Sequence, residues 1–208
     1  MIEIISFEEY RRQQEIYSPI DTDEKLEFVK RNYKLMLLSK EDENFLEPIS
    51  SFEALKNHFV EEEYFKIINC FFKLTEMSVN ELRIVVLPSF KAEYQIAIIN
   101  NVVKIDRFGK NVWTNLDNKL CLEKVHMESS SFALEQIDDF HLPNDIIKAI
   151  TSSRKPKIEL AVLDGAQYFF ILTDVDRLKI AFKHSPSEKS KSGILIKRLE
   201  KMIRQVFG

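Results

Sequence analysis

Two groups of Asp and His have the residue types that bind metal ions. Asp138, Asp139 and His141 stand together in "DDFH", and Asp174 and Asp176 form an Asp-x-Asp pair. Carboxylate oxygens and imidazole nitrogens bind divalent metals, but the spacing of Asp138, Asp139 and His141 matches no known metal site, and a second His would have to come from elsewhere. The Asp174–Asp176 pair could bind a divalent cation, but it also suits a turn between two strands. Asp is also favoured in turns, because its side chain bonds the nearby backbone. We therefore interpret both groups as loop or turn residues and predict no bound metal and no cofactor.

Nucleophilic and phosphate-binding motifs are also missing from the sequence. No Ser lies in a Gly-x-Ser-x-Gly turn, and neither Cys70 nor Cys121 stands in a helix-start or basic context that would activate a thiolate. The loop "HSPSEKSKSG" (184–193) combines hydroxyls with Lys, a composition that suits an anion at a helix N-terminus. It lacks the spaced glycines of a P-loop, so we interpret it as a capping loop.

The most strand-like stretch, Ile158 to Lys183, contains the surface that we consider for binding. Asp164-Gly165 predicts a two-residue hairpin loop, because a type I′ turn needs positive φ at both central residues. A second turn is predicted from Asp174 to Arg177. The resulting register opposes Leu160 to Phe169, Phe169 to Phe182, and Ile171 to Ile180.

This register divides the stretch into two faces. We expect the apolar face to be core and to lie beneath an amphipathic C-terminal helix at about 190–207. The apolar face comprises Ile158, Leu160, Val162, Phe169, Ile171, Leu178, Ile180 and Phe182. The mixed face comprises Lys157, Glu159, Ala161, Tyr168, Phe170, Leu172, Lys179, Ala181 and Lys183.

Five residues of the mixed face form the candidate partner-binding surface: Tyr168, Phe170, Leu172, Lys179 and Lys183. Its apolar residues require cover, and its charges frame them like the polar rim of an interface. We expect the N-terminal helices to cover this face; if it is open, it is the partner site. Basic residues around aromatics also suit single-stranded nucleic acid, although no RNP-like motif accompanies them.

Helical periodicity and capping boxes dominate the first 78 residues. "SFEE" at 6–9 and "SSFE" at 50–53 have the capping-box pattern, and Thr22 caps a helix that should end near Ser39. The following "KEDENFLEP" (40–48) is predicted to be a polar loop. The acidic start and largely apolar circumference of "EEEYFKIINCFFKLTEM" (61–77) predict a helix central to this region.

Beyond residue 78 the pattern changes to strands. "ELRIVVLPSF" (81–90) is β-branched, a hairpin is predicted across Asn100-Asn101, and two more strands around Asp117-Asn118. Pro143 favours a helix at about 143–152. We therefore predict an α+β fold: a helical region or subdomain at 1–78, then a mainly antiparallel sheet at 79–208 with a C-terminal helix packed on it, all in one compact unit.

Charge is distributed unevenly along the 208 residues. Residues 1–80 carry a net charge of −7, residues 81–152 of −2 and residues 153–208 of +6. The acidic and basic ends are expected to dock on each other or to be solvated, because the overall charge of −3 does not favour a polyanionic partner. An acidic face would suit a basic protein partner.

We predict a non-enzymatic protein-binding module, of the inhibitor or immunity type. The alternatives are a nucleic-acid-associated protein that uses the basic C-terminal end, and an enzyme whose site is assembled from scattered residues. The start "MIEIISFEEYRRQQ" lacks the order of a secretory signal, and there is no apolar run of about eighteen residues. With only two Cys, expected to be buried and unpaired, we predict a cytoplasmic protein without membrane contact.

Overall fold

A seven-stranded antiparallel sheet forms the centre of the computed structural model, which describes residues 5–116, 125–157, 165–175 and 177–207. The strands are β1 (Glu47–Ile49), β2 (Leu82–Pro88), β3 (Tyr94–Ile99), β4 (Val102–Phe108), β5 (Met127–Ala133), β6 (Ala166–Asp174) and β7 (Arg177–His184), in the spatial order β1-β7-β6-β2-β3-β4-β5. The helices are α1 (Phe7–Glu15), α2 (Asp23–Asp42), α3 (Phe52–Lys56), α4 (Glu62–Phe72), α5 (Trp113–Leu116), α6 (Leu142–Thr151) and α7 (Lys191–Phe207). The predicted α+β class, with N-terminal helices and a C-terminal helix packed on the sheet, is confirmed.

The N-terminal helices begin at the predicted caps. The Ser6 hydroxyl accepts the backbone N–H of Glu9 at 3.1 Å, and the Ser51 hydroxyl accepts that of Ala54 at 3.1 Å. Each bond satisfies one of the amides that a helix start leaves without a partner. One helix end differs from the prediction, since α2 continues beyond Ser39 to Asp42.

The hairpin of β3 and β4 has the predicted register. Ile96 pairs with Ile105, and Ile98 pairs with Val103. Asn100 and Asn101 have φ of 49° and 62°, so both central residues occupy the left-handed region that the turn demands. The short polar side chain of Asn makes this conformation accessible.

Replacing Asn101 tests the turn. Asn101→Val should lower the free energy of unfolding by about 1–2 kcal/mol, because a β-branched side chain is strained at positive φ. Asn101→Gly should leave it unchanged or slightly higher. Urea unfolding of both variants measures the difference, and equal stabilities would contradict the role of backbone conformation here.

The predicted register between β6 and β7 is also confirmed. Phe169 opposes Phe182, and Ile171 opposes Ile180. However, the pairing predicted across Asp164-Gly165 is wrong, because the other edge of β6 is occupied by β2, whose Val85 opposes Phe169. Asp164 and residues 158–163 lie outside the described residues, and Gly165 has a positive φ of 124°.

The structure reverses the predicted positions of the helices on the two sheet faces. Phe169 and Phe182 lie not under α7 but under α3 and α4, in a core shared with Leu55, Ile67, Ile68 and Phe72. Tyr168 and Phe170 lie under α6 and α7, in a core shared with Ile146, Ile150, Leu195, Leu199 and Met202. Both faces of β6 are buried, so their apolar character could not indicate which helix covers which face.

Three further predictions are corrected. The segment 40–48, predicted as a polar loop, contains the end of α2 and part of β1, and Glu47 opposes Phe182 of β7. Trp113–Leu116, predicted as strand, is the helical turn α5, while Asp117-Asn118 lies outside the described residues. Cys70 is exposed and free rather than buried, and Cys121 lies outside the part of the chain that the structure describes.

Candidate functional site

The candidate partner-binding residues lie mostly inside the protein. Tyr168, Phe170 and Lys183 are buried, whereas Leu172 and Lys179 are partly exposed. The chain itself covers this face, but the prediction that the N-terminal helices do so is wrong, because α6 and α7 pack on it instead. The N-terminal region reaches only its edge, where the Lys183 ammonium donates to the Asp42 carbonyl at 3.0 Å and pairs with the Glu47 carboxylate at 3.3 Å.

A row of residues across four strands forms the floor of a cleft at the open end of this face. Tyr168 of β6 opposes Val86 of β2, Val86 opposes Tyr94 of β3, and Tyr94 opposes Arg107 of β4. Opposed residues of an antiparallel sheet project from the same face. The register therefore places two phenols and a guanidinium on one floor.

The last two turns of α7 form the wall of the cleft. Glu200, Ile203, Arg204 and Phe207 line it at the spacing of one helix face. The Tyr168 hydroxyl donates to a Glu200 carboxylate oxygen at 2.7 Å, which ties the wall to the floor. The Arg107 guanidinium lies over the Phe207 ring, 5.7 Å from its centroid.

The loop between β2 and β3 forms the rim. Its Phe90 side chain is 79% exposed, and Lys91 is exposed beside it. In the same loop, the Ser89 hydroxyl accepts the Gly165 N–H at 3.1 Å, which joins the rim to the start of β6. The cleft is open to solvent and has a volume of about 750 Å³, within the range of small-molecule sites.

The charge of the cleft is positive. Among the described residues, Lys91, Arg107 and Arg204 line it against a single carboxylate, that of Glu200. Within residues 5–116, 125–157, 165–175 and 177–207, no carboxylate lies within 4.0 Å of the Arg107 guanidinium or the Arg204 guanidinium. Arg107 and Arg204 therefore form no ion pair with a described carboxylate, although Glu128 of β5 opposes Arg107 across the strand pair.

The two phenols of the floor stay protonated at physiological pH. Burial raises the pKa of Tyr94, and Glu200 raises it further while the Arg107 and Arg204 charges oppose the change. Burial and the Glu200 carboxylate likewise raise the pKa of Tyr168. The hydroxyls thus act as neutral hydrogen-bond donors, and the Tyr168 hydroxyl is already used by Glu200.

The residues considered for metal binding have other contacts. The Asp139 carboxylate accepts two hydrogen bonds from the Arg198 guanidinium, at 2.6 and 2.9 Å, and Asp138 accepts one from Gln205. The His141 ring packs on Phe140. Asp176 lies outside the described residues, and among those described no three His, Cys, Asp or Glu side chains converge as metal ligands would.

The Ser-rich loop before α7 is a capping loop, as predicted. The Ser190 hydroxyl accepts the Gly193 N–H at 3.0 Å and donates to the Ser187 carbonyl at 2.7 Å. These bonds satisfy the helix start within the chain, so the loop's hydroxyls do not form an anion site of their own.

The fold and cleft define an α+β protein with a cationic, aromatic-lined cleft beside its C-terminal helix. No known family model, curated protein or solved structure matches the chain. In the parts of the chain that the structure describes, no helix has the length and apolarity needed to cross a bilayer.

Proposed function

We propose that this protein is a non-enzymatic protein-binding module and that the cleft holds a segment of its partner. The observation that carries the proposal is the exposed Phe90 side chain on the rim of a cleft whose two guanidiniums pair with no described carboxylate. Aromatic residues and Arg contribute a large share of the binding energy in protein interfaces. Because the Phe90 ring is 79% exposed, its burial by a partner would contribute a large favourable free energy of binding.

The side chains of the cleft support binding over catalysis. The hydroxyls of Ser89 and Ser185, which line it, are hydrogen-bonded to the backbone N–H groups of Gly165 and Ala166. Among the described residues that line the cleft there is no His, the general base most often paired with a Ser nucleophile. An inhibitor or immunity-type protein, which acts by covering a partner surface, fits such a site.

The basic partner expected from the acidic N-terminal region has little support. The Glu41 carboxylate contacts Arg154 at 3.1 Å and Lys157 at 2.7 Å, and Glu47 contacts Lys183. Part of the acidic excess thus pairs with the basic end of the same chain. The contact surface that we propose is cationic instead.

The alternative, nucleic-acid binding through the basic C-terminal end, is weakened because some of its cations are already paired with carboxylates. Arg198 is bound by Asp139 and Asp145, and Lys197 is paired with Glu188. Cations already paired with carboxylates release fewer counterions on binding a polyanion. Nucleic acid is therefore an outcome to be tested and not our proposal.

The proposal is tested by a charge placed on the rim. Phe90→Asp should abolish capture of the partner from a lysate of the source organism without changing the melting temperature, because the side chain is exposed. Phe140→Asp is the matched control, since Phe140 is 58% exposed and lies away from the cleft. Capture is measured by affinity purification with tagged protein and mass spectrometry, and confirmed by calorimetry with the purified partner.

A protein that wild type and Phe140→Asp retain, and Phe90→Asp loses, supports the proposal. If no captured protein distinguishes the two variants, the cleft is not the contact site and the proposal fails. Nuclease-sensitive capture of nucleic acid instead of protein would favour the C-terminal alternative.

A further inference from the structure

We infer that the cleft recognises a carboxylate, held by Arg107 and Arg204, with an apolar neighbour of that group packed against Phe90 and Phe207. This inference rests on the proposed function and adds the chemistry of the bound segment.

Two Arg residues from separate elements line the site. Arg107 is fixed on β4 by its pairing with Tyr94, and its guanidinium lies against the Phe207 ring of α7. Arg204 follows Glu200 by one helical turn on the cleft-facing side of α7. Planar guanidiniums match carboxylates with paired, charge-assisted hydrogen bonds.

The floor provides a neutral donor near the two cations. The Tyr94 hydroxyl lies close enough to Arg107, Arg204 and Glu200 for all three charges to affect its ionisation. It is protonated at physiological pH and has no hydrogen-bond partner among the described residues, so it can donate to a carboxylate oxygen.

Glu200 limits the charge of the ligand. Its carboxylate is held in the cleft by the Tyr168 hydroxyl at 2.7 Å. A polyanion such as a nucleic-acid strand would bring further negative charges towards it, and like charges at short range repel. One carboxylate can bind the two cations and incurs less of this repulsion than several negative charges would, so the site favours a singly charged acidic group.

The walls explain the need for an apolar neighbour. Phe90, Ile203 and Phe207 present apolar surface beside the cations. A carboxylate with no apolar extension would leave this apolar surface in water. An aromatic or aliphatic side chain next to the carboxylate would bury the surface. The inferred segment therefore pairs an acidic group with an apolar residue.

Two sources of carboxylate share this chemistry: the side chain of an Asp or Glu, and the free C-terminus of a polypeptide. Four short probes separate them, each measured by calorimetry or NMR titration. N-acetyl-Ala-Phe-Glu-Ala-amide is compared with its Gln counterpart, and N-acetyl-Ala-Phe-Ala with a free C-terminus is compared with its C-terminal amide. At least one acid should bind about tenfold or more tightly than its neutral partner, as expected for a hydrogen-bonded charge.

Variants then identify the residues that bind the carboxylate. Arg107→Met and Arg204→Met should each weaken the preferred acid about tenfold and leave its neutral counterpart nearly unchanged. Lys201→Met is the matched control, because Lys201 is an exposed cation of α7 that does not line the cleft. Arg204 is also exposed, so Arg204→Met should leave the melting temperature unchanged. Binding can therefore be measured with this variant even if Arg107→Met is unstable.

Equal binding of acids and neutral counterparts, or equal effects of Arg204→Met and Lys201→Met, would overturn the carboxylate inference. If no probe binds while partner capture still depends on Phe90, the carboxylate inference fails and the proposed function stands. If capture does not depend on Phe90, the proposed function fails and the inference fails with it.

Discussion

Phe169→Ala should lower the free energy of unfolding by about 3–5 kcal/mol, the range for truncating a buried aromatic residue. Phe169 is 1% exposed, and its ring stacks on Phe59 with centroids 5.5 Å apart. The centroid of its ring also lies 5.1 Å from that of Phe182 on β7. Phe169 therefore packs against a neighbouring strand and, through Phe59, against the α3–α4 layer. Truncation leaves a cavity that these rings cannot fill without losing their own packing. Denaturant unfolding followed by circular dichroism measures the change.

Phe140→Ala is the control for this measurement. Phe140 is 58% exposed, so its truncation should change the free energy of unfolding by less than about 0.5 kcal/mol. Phe170→Ala, on the opposite face beneath α7, should match Phe169→Ala, because Phe170 is fully buried as well. A small effect at Phe169 and a large one at Phe170 would mean that only the α7 side carries the core.

Local signals in the sequence predicted the hairpins correctly. Turn chemistry at Asn100-Asn101 and the alternation in 169–182 set the registers of β3–β4 and β6–β7, because a hairpin's pairing follows from its turn. The helix caps could be predicted because they are also local: the capping Ser or Thr and the backbone amide that donates to it lie three residues apart.

Long-range pairing was not predictable from the same signals. β6 pairs with β2, about eighty residues away in the chain, and no local pattern in either strand identifies the other. The adjacent Asp164-Gly165 suggested a local partner that β2 in fact displaces. The side on which α7 packs was equally undetermined, because the six residues from Ser185 to Ser190 can lead to either face and both are apolar.

The candidate site was missed because it depends on that long-range pairing. Tyr94 and Tyr168 meet across Val86 only when β2 lies between β3 and β6. The one available signal was the spacing of Glu200, Arg204 and Phe207, which places two charges and a ring on one face of α7. Knowledge of the sheet order is needed before that face can be assigned to a cleft.

Arg83→Met should be as destabilising as Phe169→Ala, at about 3–5 kcal/mol, because it leaves a buried carboxylate without its counterion. The Arg83 guanidinium contacts Glu81 at 2.5 and 2.6 Å, and Glu81 is 1% exposed. Arg83 also donates to the carbonyls of Phe72 and Lys73, at 2.6 and 2.5 Å, where α4 ends with Lys73 in the left-handed conformation. One side chain thus neutralises the carboxylate and caps the helix.

A double-variant cycle separates these two roles. Glu81→Gln removes the charge that Arg83→Met leaves unpaired, so the double variant should be more stable than the sum of the single effects predicts, with a coupling of about 1–3 kcal/mol. The cost that remains in the double variant mainly reports the lost helix cap, because the amide oxygen of Gln can still accept the Ser78 N–H. Arg11→Met is the exposed control, because the Arg11–Glu15 pair has side chains 37% exposed and should contribute less than about 1 kcal/mol. Additive single effects, with no coupling between Glu81 and Arg83, would show that burial of the charge is not what makes Arg83 necessary and that the cap on α4 carries its contribution.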